Sequence, residues 1–287
     1  MAGPKLDLGR KIKDILGHVG PLPAEAGTPF AHYEHTSADI WALREYTARS
    51  FRRPRHFPAA ANRHLLRLHG MILISLIETF ERFLKETAAV CVTVLARYVL
   101  DDRFDEFRIQ GSNLAAHFGS DTLGKALCES DTWLDCKQIN DRFRRLLANP
   151  FEAGAFYVFP RSGQQPVAEQ WRFETMSLLW QIRHTIVHNV GAITHSDAIK
   201  LRLLAREHVA PDRILTPDRD DLRYAKRFLD ESASSINQRV VERLAALLTA
   251  IHSTNPSLFV PQEHADELAR LFGKAVTVAG ATGLTPS

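Results

Sequence analysis

Residues 181–191, QIRHTIVHNVG, place a guanidinium and two imidazoles within a six-residue span. Arg183, His184 and His188 are flanked by aliphatic residues whose spacing predicts an α-helix. His184 and His188 are four residues apart and share one face of that helix, whereas Arg183 lies about 100° away. One helix does not focus all three groups on one point. Two copies meeting across a two-fold axis would each supply an arginine and a histidine to a shared cleft.

These residue types suit the cleavage of RNA by its own 2′-hydroxyl group. Histidine serves as the base for the 2′-hydroxyl or as the acid for the 5′-oxygen leaving group. The arginine fork stays charged and fits the oxygens of a pentavalent phosphorane. The alternative interpretation is structural, because an arginine five residues before a histidine also arises by chance, and a histidine at a helix end often caps carbonyls.

The composition indicates an ordinary soluble globular protein. The chain has 287 residues, of which 45% are apolar and 24% charged, which is enough for one large domain or two small ones. Three cysteines without a CxxC pair predict no disulfide framework, no metal site and a reducing cytoplasm. The first residues lack the apolar core of a signal peptide. Charged residues interrupt the apolar stretch 71–100, which predicts a buried helix rather than a membrane span.

Basic residues are concentrated in the first quarter of the chain. The net charge is only +3, yet residues 1–70 hold eleven basic and six acidic residues. The densest point is FRRPRHF, residues 51–57, and Arg63 and Arg67 follow it. Basic side chains beside aromatic ones can hold a phosphate backbone, so Arg52, Arg53 and Arg55 are candidate RNA-binding residues. A solvated loop between two helices is the alternative.

Helical periodicity dominates the chain, and strand-like alternation is scarce. Helices are predicted over 36–51, 62–100, 167–189 and 216–252, of which the last three are strong. Residues 62–100 are expected to form one long helix or a kinked pair, and the helix over 167–189 ends near Gly191. The second helix has a stripe of apolar residues at three- and four-residue steps, and so does the third. These stripes are Leu73, Leu76, Ile77, Phe80, Phe83 and Leu84, and Met176, Leu179, Ile182, Ile186 and Val190.

The predicted fold is therefore all-α, a helical bundle with additional helices and a long insert. Residues 1–36 are expected to form a loosely ordered arm, and residues 37–252 the helical domain. The insert covers about 101–165, with short helical pieces near 112–119 and 136–149 and a loop that includes at most one short strand. Residues 253–287 are expected to add one short helix and a tail.

Two short motifs resemble the HEPN superfamily, a set of all-α proteins that includes many RNases. Its signature is an arginine, a polar residue, three mostly apolar residues and a histidine, and here it is residues 183–188, followed by NVGAIT. An aromatic–Glu–x–aromatic–aliphatic pattern at residues 80–84 is most similar to the branch linked to defence and toxin-like RNases. The order of elements matches over about residues 60–252. The sequence departs from the family at His184, where asparagine or aspartate is usual, and in its longer 101–165 region.

The resemblance implies roles for particular residues. Arg183 and His188 would be catalytic, and His184 would orient them or contact phosphate. Glu81 would position the arginine or support the fold near the cleft; alternatively it pairs with a basic residue, Arg82 or Lys85, on the helix surface. Glu78, on a similar face, is the substitute. Asn189 would contact RNA or cap the helix end.

The leading hypothesis is a metal-independent HEPN-type endoribonuclease that needs no cofactor and acts as a homodimer. Its expected partners are RNA, such as tRNA or mRNA, and an antitoxin or another component of a bacterial defence system. No membrane association is expected. A non-catalytic HEPN-like scaffold is the alternative from another class. A third hypothesis is an α-helical regulator that binds nucleic acid through residues 51–67 without cleaving it.

Overall fold

The computed structural model of the chain consists mainly of α-helices, which confirms the predicted all-α class. It describes residues 27–51, 58–98, 124, 128, 133, 135–149, 154–160, 171–257, 260–278 and 281–282. The helices are α1 (Pro29–Phe51), α2 (Pro58–Leu95), α3 (Cys136–Leu146), α4 (Trp171–Asn189), α5 (His195–Ala205), α6 (Arg219–Thr254) and α7 (Pro261–Phe272). Two short antiparallel pairs join β1 (Ala192–Ile193) to β2 (Arg213–Ile214) and β3 (Thr277–Val278) to β4 (Ala281–Thr282).

The core forms around α2, whose predicted apolar stripe is buried. Ile77, Phe80 and Leu84 have no exposed surface, because apolar residues at three- and four-residue steps share one face of a helix. Helices α1, α6 and α4 all pack against α2. Among the helices described above, none is both long and apolar enough to cross a membrane.

The first helix begins earlier than the sequence predicted. Residues 29–36 were expected to be loosely ordered, but α1 begins at Pro29. The Thr28 hydroxyl accepts a hydrogen bond from the amide of Ala31 at 3.1 Å, and a proline suits the first helical position because its missing N–H has no partner there anyway. Tyr33, buried on this helix, donates from its hydroxyl to Asp230 Oδ1 of α6 at 2.8 Å. This bond ties the early turns of α1 to the bundle.

Part of the predicted insert belongs to the same core. Asp135 caps α3 by accepting a hydrogen bond from the amide of Lys137 at 2.7 Å. Asn140 of α3 donates to the carbonyl of Phe159 at 2.7 Å and accepts from its amide at 2.8 Å. Residues 154–160 contain no strand, and the Phe159 ring is fully buried. The helical piece predicted at 112–119 lies outside the described residues.

Helix α5 was not predicted from the sequence. A capping box begins it: the Thr194 hydroxyl accepts from the amide of Asp197, and the Asp197 carboxylate accepts from the amide of Thr194. A threonine followed three residues later by an acidic residue is a recognisable helix-start signal. The short α5 folds back along α4 after the β1 turn. It therefore covers one side of the helix that carries the candidate residues.

Candidate active site on helix α4

His184 and His188 lie side by side on an open face of α4. Their ring centroids are 4.5 Å apart, with the planes tilted by 46°. Both side chains are exposed, and neither ring forms a hydrogen bond with a described residue. The spacing of four residues produces this adjacency, as the sequence predicted. The two imidazoles are therefore accessible to a ligand from solvent.

Arg183 points away from the histidines toward α2. Its Nη2 donates to Glu78 Oε1 at 2.9 Å, and the arginine side chain is only 16% exposed, whereas that of Glu78 is 50% exposed. Arg183 Nε is buried and has no hydrogen-bond partner in the described part of the chain. The carboxylate thus holds the guanidinium at the junction of α2 and α4.

Glu81, the first candidate for this positioning role, contacts a different residue. Its carboxylate accepts from Lys85 Nζ at 2.8 Å, one helical turn along α2. Of the two carboxylates considered from the sequence, Glu78 is the one that contacts Arg183. On a helix, positions three residues apart differ by about 60°, so the two carboxylates take different directions.

The end of α4 has an unusual backbone. Val190 has a φ of 52° and Gly191 a φ of 83°. A β-branched residue with positive φ is rare and strained, whereas glycine adopts this conformation readily. The Gly191 amide donates to the Thr185 carbonyl at 3.2 Å, and its carbonyl accepts from the Leu215 amide at 2.8 Å. Val190 was predicted to extend the buried apolar stripe, but the turn leaves it 77% exposed.

Asn189, a candidate RNA contact or helix cap, contacts α5. Its Nδ2 donates to Asp197 Oδ2 at 2.7 Å. The other oxygen of this carboxylate accepts from Gln181 Nε2 at 3.0 Å, and the Thr194 hydroxyl donates to Oδ2 at 2.8 Å. Asp197 is only 2% exposed. A buried carboxylate therefore joins two positions of α4 to the start of α5.

The protonation of Asp197 reflects this network. Burial penalises the charged carboxylate and by itself raises its pKa. Hydrogen bonds from Thr194 and Asn189, together with the attraction of His184, outweigh that penalty and hold the pKa of Asp197 below its usual value. The sequence analysis did not select Asp197, although the capping box at residues 194–197 was a signal for it.

The predicted RNA-binding arginines Arg52, Arg53 and Arg55 lie outside the described residues. Arg63 and Arg67, near the start of α2, are described and exposed. Within the described ranges, no three His, Cys, Asp or Glu side chains are grouped so as to hold a metal ion.

An apolar cleft lies on another side of α4. It has a volume of about 640 Å³ and is lined by Trp171, Leu179 and Ile182 of α4, with Tyr224 and Phe228 of α6. Leu179 and Ile182 face roughly away from His184, because they are separated from it by about 140° and 160° around the helix. The imidazoles therefore stand on an open helix surface and do not line this cleft.

Comparison with family models, with curated proteins and with solved structures found no match to this chain.

Proposed function

We propose that the protein is a metal-independent endoribonuclease of the HEPN type. The supporting observation is the exposed pair of imidazoles, with ring centroids 4.5 Å apart, on the same segment of α4 as an arginine whose guanidinium is held by Glu78. Cleavage through the 2′-hydroxyl requires a base, an acid and a cation. One short segment of α4 supplies two of these, an imidazole that can serve as base or acid and a fixed cation.

The proposed reaction needs no nucleophile from the protein. His188 of one protomer accepts the proton of the 2′-hydroxyl as the bond from O2′ to phosphorus forms. The bond from phosphorus to O5′ breaks, and a second, protonated imidazole gives its proton to that oxygen. Arg183 stabilises the negative charge on the phosphorane oxygens. The products are a 2′,3′-cyclic phosphate end and a 5′-hydroxyl end.

A homodimer would supply the second imidazole. His184 would then orient the pair or contact phosphate. Val187 is 42% exposed and Val190 77% exposed, so apolar surface accompanies the histidines on α4. Uncovered apolar side chains beside a polar site favour a protein contact, and a two-fold axis would bring two copies of α4 together.

The proposed setting is bacterial defence or a toxin–antitoxin-like system in the cytoplasm. This part of the proposal derives from the resemblance at residues 80–84 and 183–188. The substrate would be tRNA or mRNA, with Arg52, Arg53 and Arg55 contacting its backbone, and an antitoxin or defence protein would be the regulatory partner.

The test is incubation of the purified protein with total tRNA and a structured mRNA in EDTA. The double variant Arg183→Ala/His188→Ala should be inactive. Arg82→Ala/His35→Ala is the matched control, because it removes an exposed arginine and an exposed histidine elsewhere. Cleavage by wild type and control only, leaving cyclic phosphate ends, is the expected result. Equal cleavage by the Arg183→Ala/His188→Ala variant would refute the assignment of this site.

A non-catalytic scaffold is the second candidate, and one observation favours it. Arg183 is largely buried and already paired with Glu78, which reduces its availability for a phosphate. This alternative predicts no cleavage of either RNA and a monomeric protein in solution. Size-exclusion chromatography with light scattering measures the second property independently of activity.

A further inference from the structure

The last turns of α4 and the start of α5 are joined by one buried carboxylate. We propose that Asp197 is a positioning residue, which fixes the segment that carries His184 and His188 through its bonds to Gln181 and Asn189. Its catalytic consequence rests on the function proposed above. Its structural consequence can be measured without any RNA.

The two bonds to α4 bracket the histidines. Gln181 and Asn189 are eight residues apart, which is about 12 Å along a helix axis. Asp197 Oδ1 accepts from Gln181 at 3.0 Å, and Oδ2 accepts from Asn189 at 2.7 Å. Both imidazoles lie between these positions. A restraint at both ends limits fraying in the part of the helix where fraying is usually greatest.

The carboxylate is itself held in place from the α5 side. The Asp197 amide donates to the Thr194 hydroxyl at 3.1 Å, and that hydroxyl donates to Oδ2 at 2.8 Å. Ala198 and Leu201 of α5 are buried in a small cluster against which Ile182 of α4 packs. Asp197 therefore cannot follow a displaced α4 without opening its own cap.

This restraint opposes a strained turn. Val190 follows Asn189 immediately with a φ of 52°, a backbone conformation that is strained for a β-branched residue. Asn189 is the last residue of α4. Holding its side chain on Asp197 keeps the helix intact up to Asn189, one position beyond His188 and one before the strained Val190.

In the described part of the chain, the side chains that donate to Asp197 are all neutral. Loss of these hydrogen bonds can therefore be tested without breaking an ion pair. Asp197→Asn keeps the size of the side chain but replaces one accepting oxygen by an NH₂ group, which cannot accept a hydrogen bond from these donors. The exchange Asp197→Asn/Asn189→Asp restores a carboxylate opposite an amide, with the carboxylate now on α4. Recovery in this double variant would identify the bond between the two residues as the cause.

The matched control is Asp221→Asn in α6. Asp221 occupies the same position in a second capping box, opposite Asp218, and does not contact α4 through a hydrogen bond in the described structure. Both single substitutions thus disturb a helix cap, but only Asp197→Asn removes the restraint on α4.

The first measurement is amide hydrogen exchange over residues 183–191. We expect exchange to accelerate about 10-fold or more in Asp197→Asn, to stay at the wild-type rate in Asp221→Asn and to recover in the exchanged double variant. If Asp197→Asn does not fold, Asn189→Ala removes the same bond from the α4 side. Unchanged exchange in the folded variant would overturn the proposal.

The second measurement is steady-state RNA cleavage. We expect Asp197→Asn to lower kcat about 10- to 100-fold while KM changes little, because misplaced groups slow the chemical step more than they weaken binding. An active wild type with unchanged kcat in Asp197→Asn would overturn the positioning role. Faster exchange in a protein whose wild type cleaves no RNA would support the restraint and refute the proposed function.

Discussion

Two regions of this protein combine arginine with histidine, with opposite consequences for chemistry. The buried pair, Arg44 and His69, joins α1 to α2. In the α4 group, Arg183 is directed to α2, whereas His184 and His188 are exposed at the surface. Both regions contain the same residue types, so the difference between them shows how burial and hydrogen-bond partners determine whether an imidazole can exchange a proton with a ligand.

In the buried pair, both ring nitrogens of His69 are occupied. Nε2 accepts from Arg44 Nη2 at 2.9 Å, and Nδ1 donates to the Pro217 carbonyl at 2.9 Å. Burial lowers the pKa of His69, and the neighbouring Arg44 lowers it further, although the bond to Pro217 and the nearby Asp218 and Asp221 act in the opposite direction. His69 is therefore neutral and has no free position for proton transfer to a ligand.

In the α4 group, the imidazoles of His184 and His188 are exposed to solvent. Glu78 holds the guanidinium of Arg183. An arginine and a histidine close in sequence therefore form a candidate site here only where the imidazole rings are accessible. Four predictions test this distinction.

The largest effect is expected on removing an accessible imidazole. His188→Ala should lower RNA cleavage by about 10²- to 10⁴-fold, the usual contribution of an acid or base, measured with chelator present. Because His188 is exposed, its loss should change the free energy of unfolding by less than about 0.5 kcal/mol. The comparison would fail if His69→Ala reduced cleavage as strongly in a fully folded sample.

The next largest effect is on stability. Arg44→Ala should lower the free energy of unfolding by about 3 kcal/mol, because it leaves the buried His69 Nε2 without its donor and removes one of the two arginines that pair with Glu45. Urea denaturation measures this. Arg82→Ala, which breaks an exposed pair with Glu86, is the control and should cost less than about 1 kcal/mol. Equal losses would show that burial does not distinguish the two arginines.

A smaller effect follows from the lowered pKa of His69. The unfolded chain binds a proton at this residue below a pH of about 6.5, whereas the folded protein resists it. Stability should therefore fall as the pH decreases from about 7.5 to about 5.5. Burial also lowers the pKa of His264, partly opposed by Glu267, so that residue contributes in the same direction. Thermal unfolding of His69→Gln should show a shallower pH dependence, and an equal or steeper one would contradict the assignment.

The smallest effect concerns the two carboxylates of α2. Glu78→Gln should reduce cleavage by about 3- to 10-fold, because a neutral amide holds Arg183 less firmly, with less than about 1 kcal/mol lost in stability. Glu81→Gln is the matched control and should cleave at the wild-type rate, since Glu81 contacts Lys85. A larger loss in Glu81→Gln than in Glu78→Gln would reverse the assignment.

Much of the fold follows from patterns within a few residues. The buried face of α2 and the adjacency of the two histidines could be predicted from residue spacing, because an α-helix repeats every 3.6 residues. The errors were also local. The start of α1 at Pro29 and the whole of α5 have capping signals, at Thr28 and Thr194, that were not recognised.

The remaining features depend on contacts distant in sequence. Arg183 and Glu78 are 105 residues apart, and the choice between Glu78 and Glu81 required the packing of α2 against α4. The burial of His69 against Pro217 likewise joins positions 148 residues apart.

The sequence by itself determined which faces of the helices are apolar and that two imidazoles lie together, since both depend on the rotation per residue alone. The tertiary structure decided which arginine is buried, which carboxylate holds Arg183 and which residue restrains the end of α4. Those outcomes depend on how complete helices pack, because burial and hydrogen bonds between helices arise only when the whole core has formed.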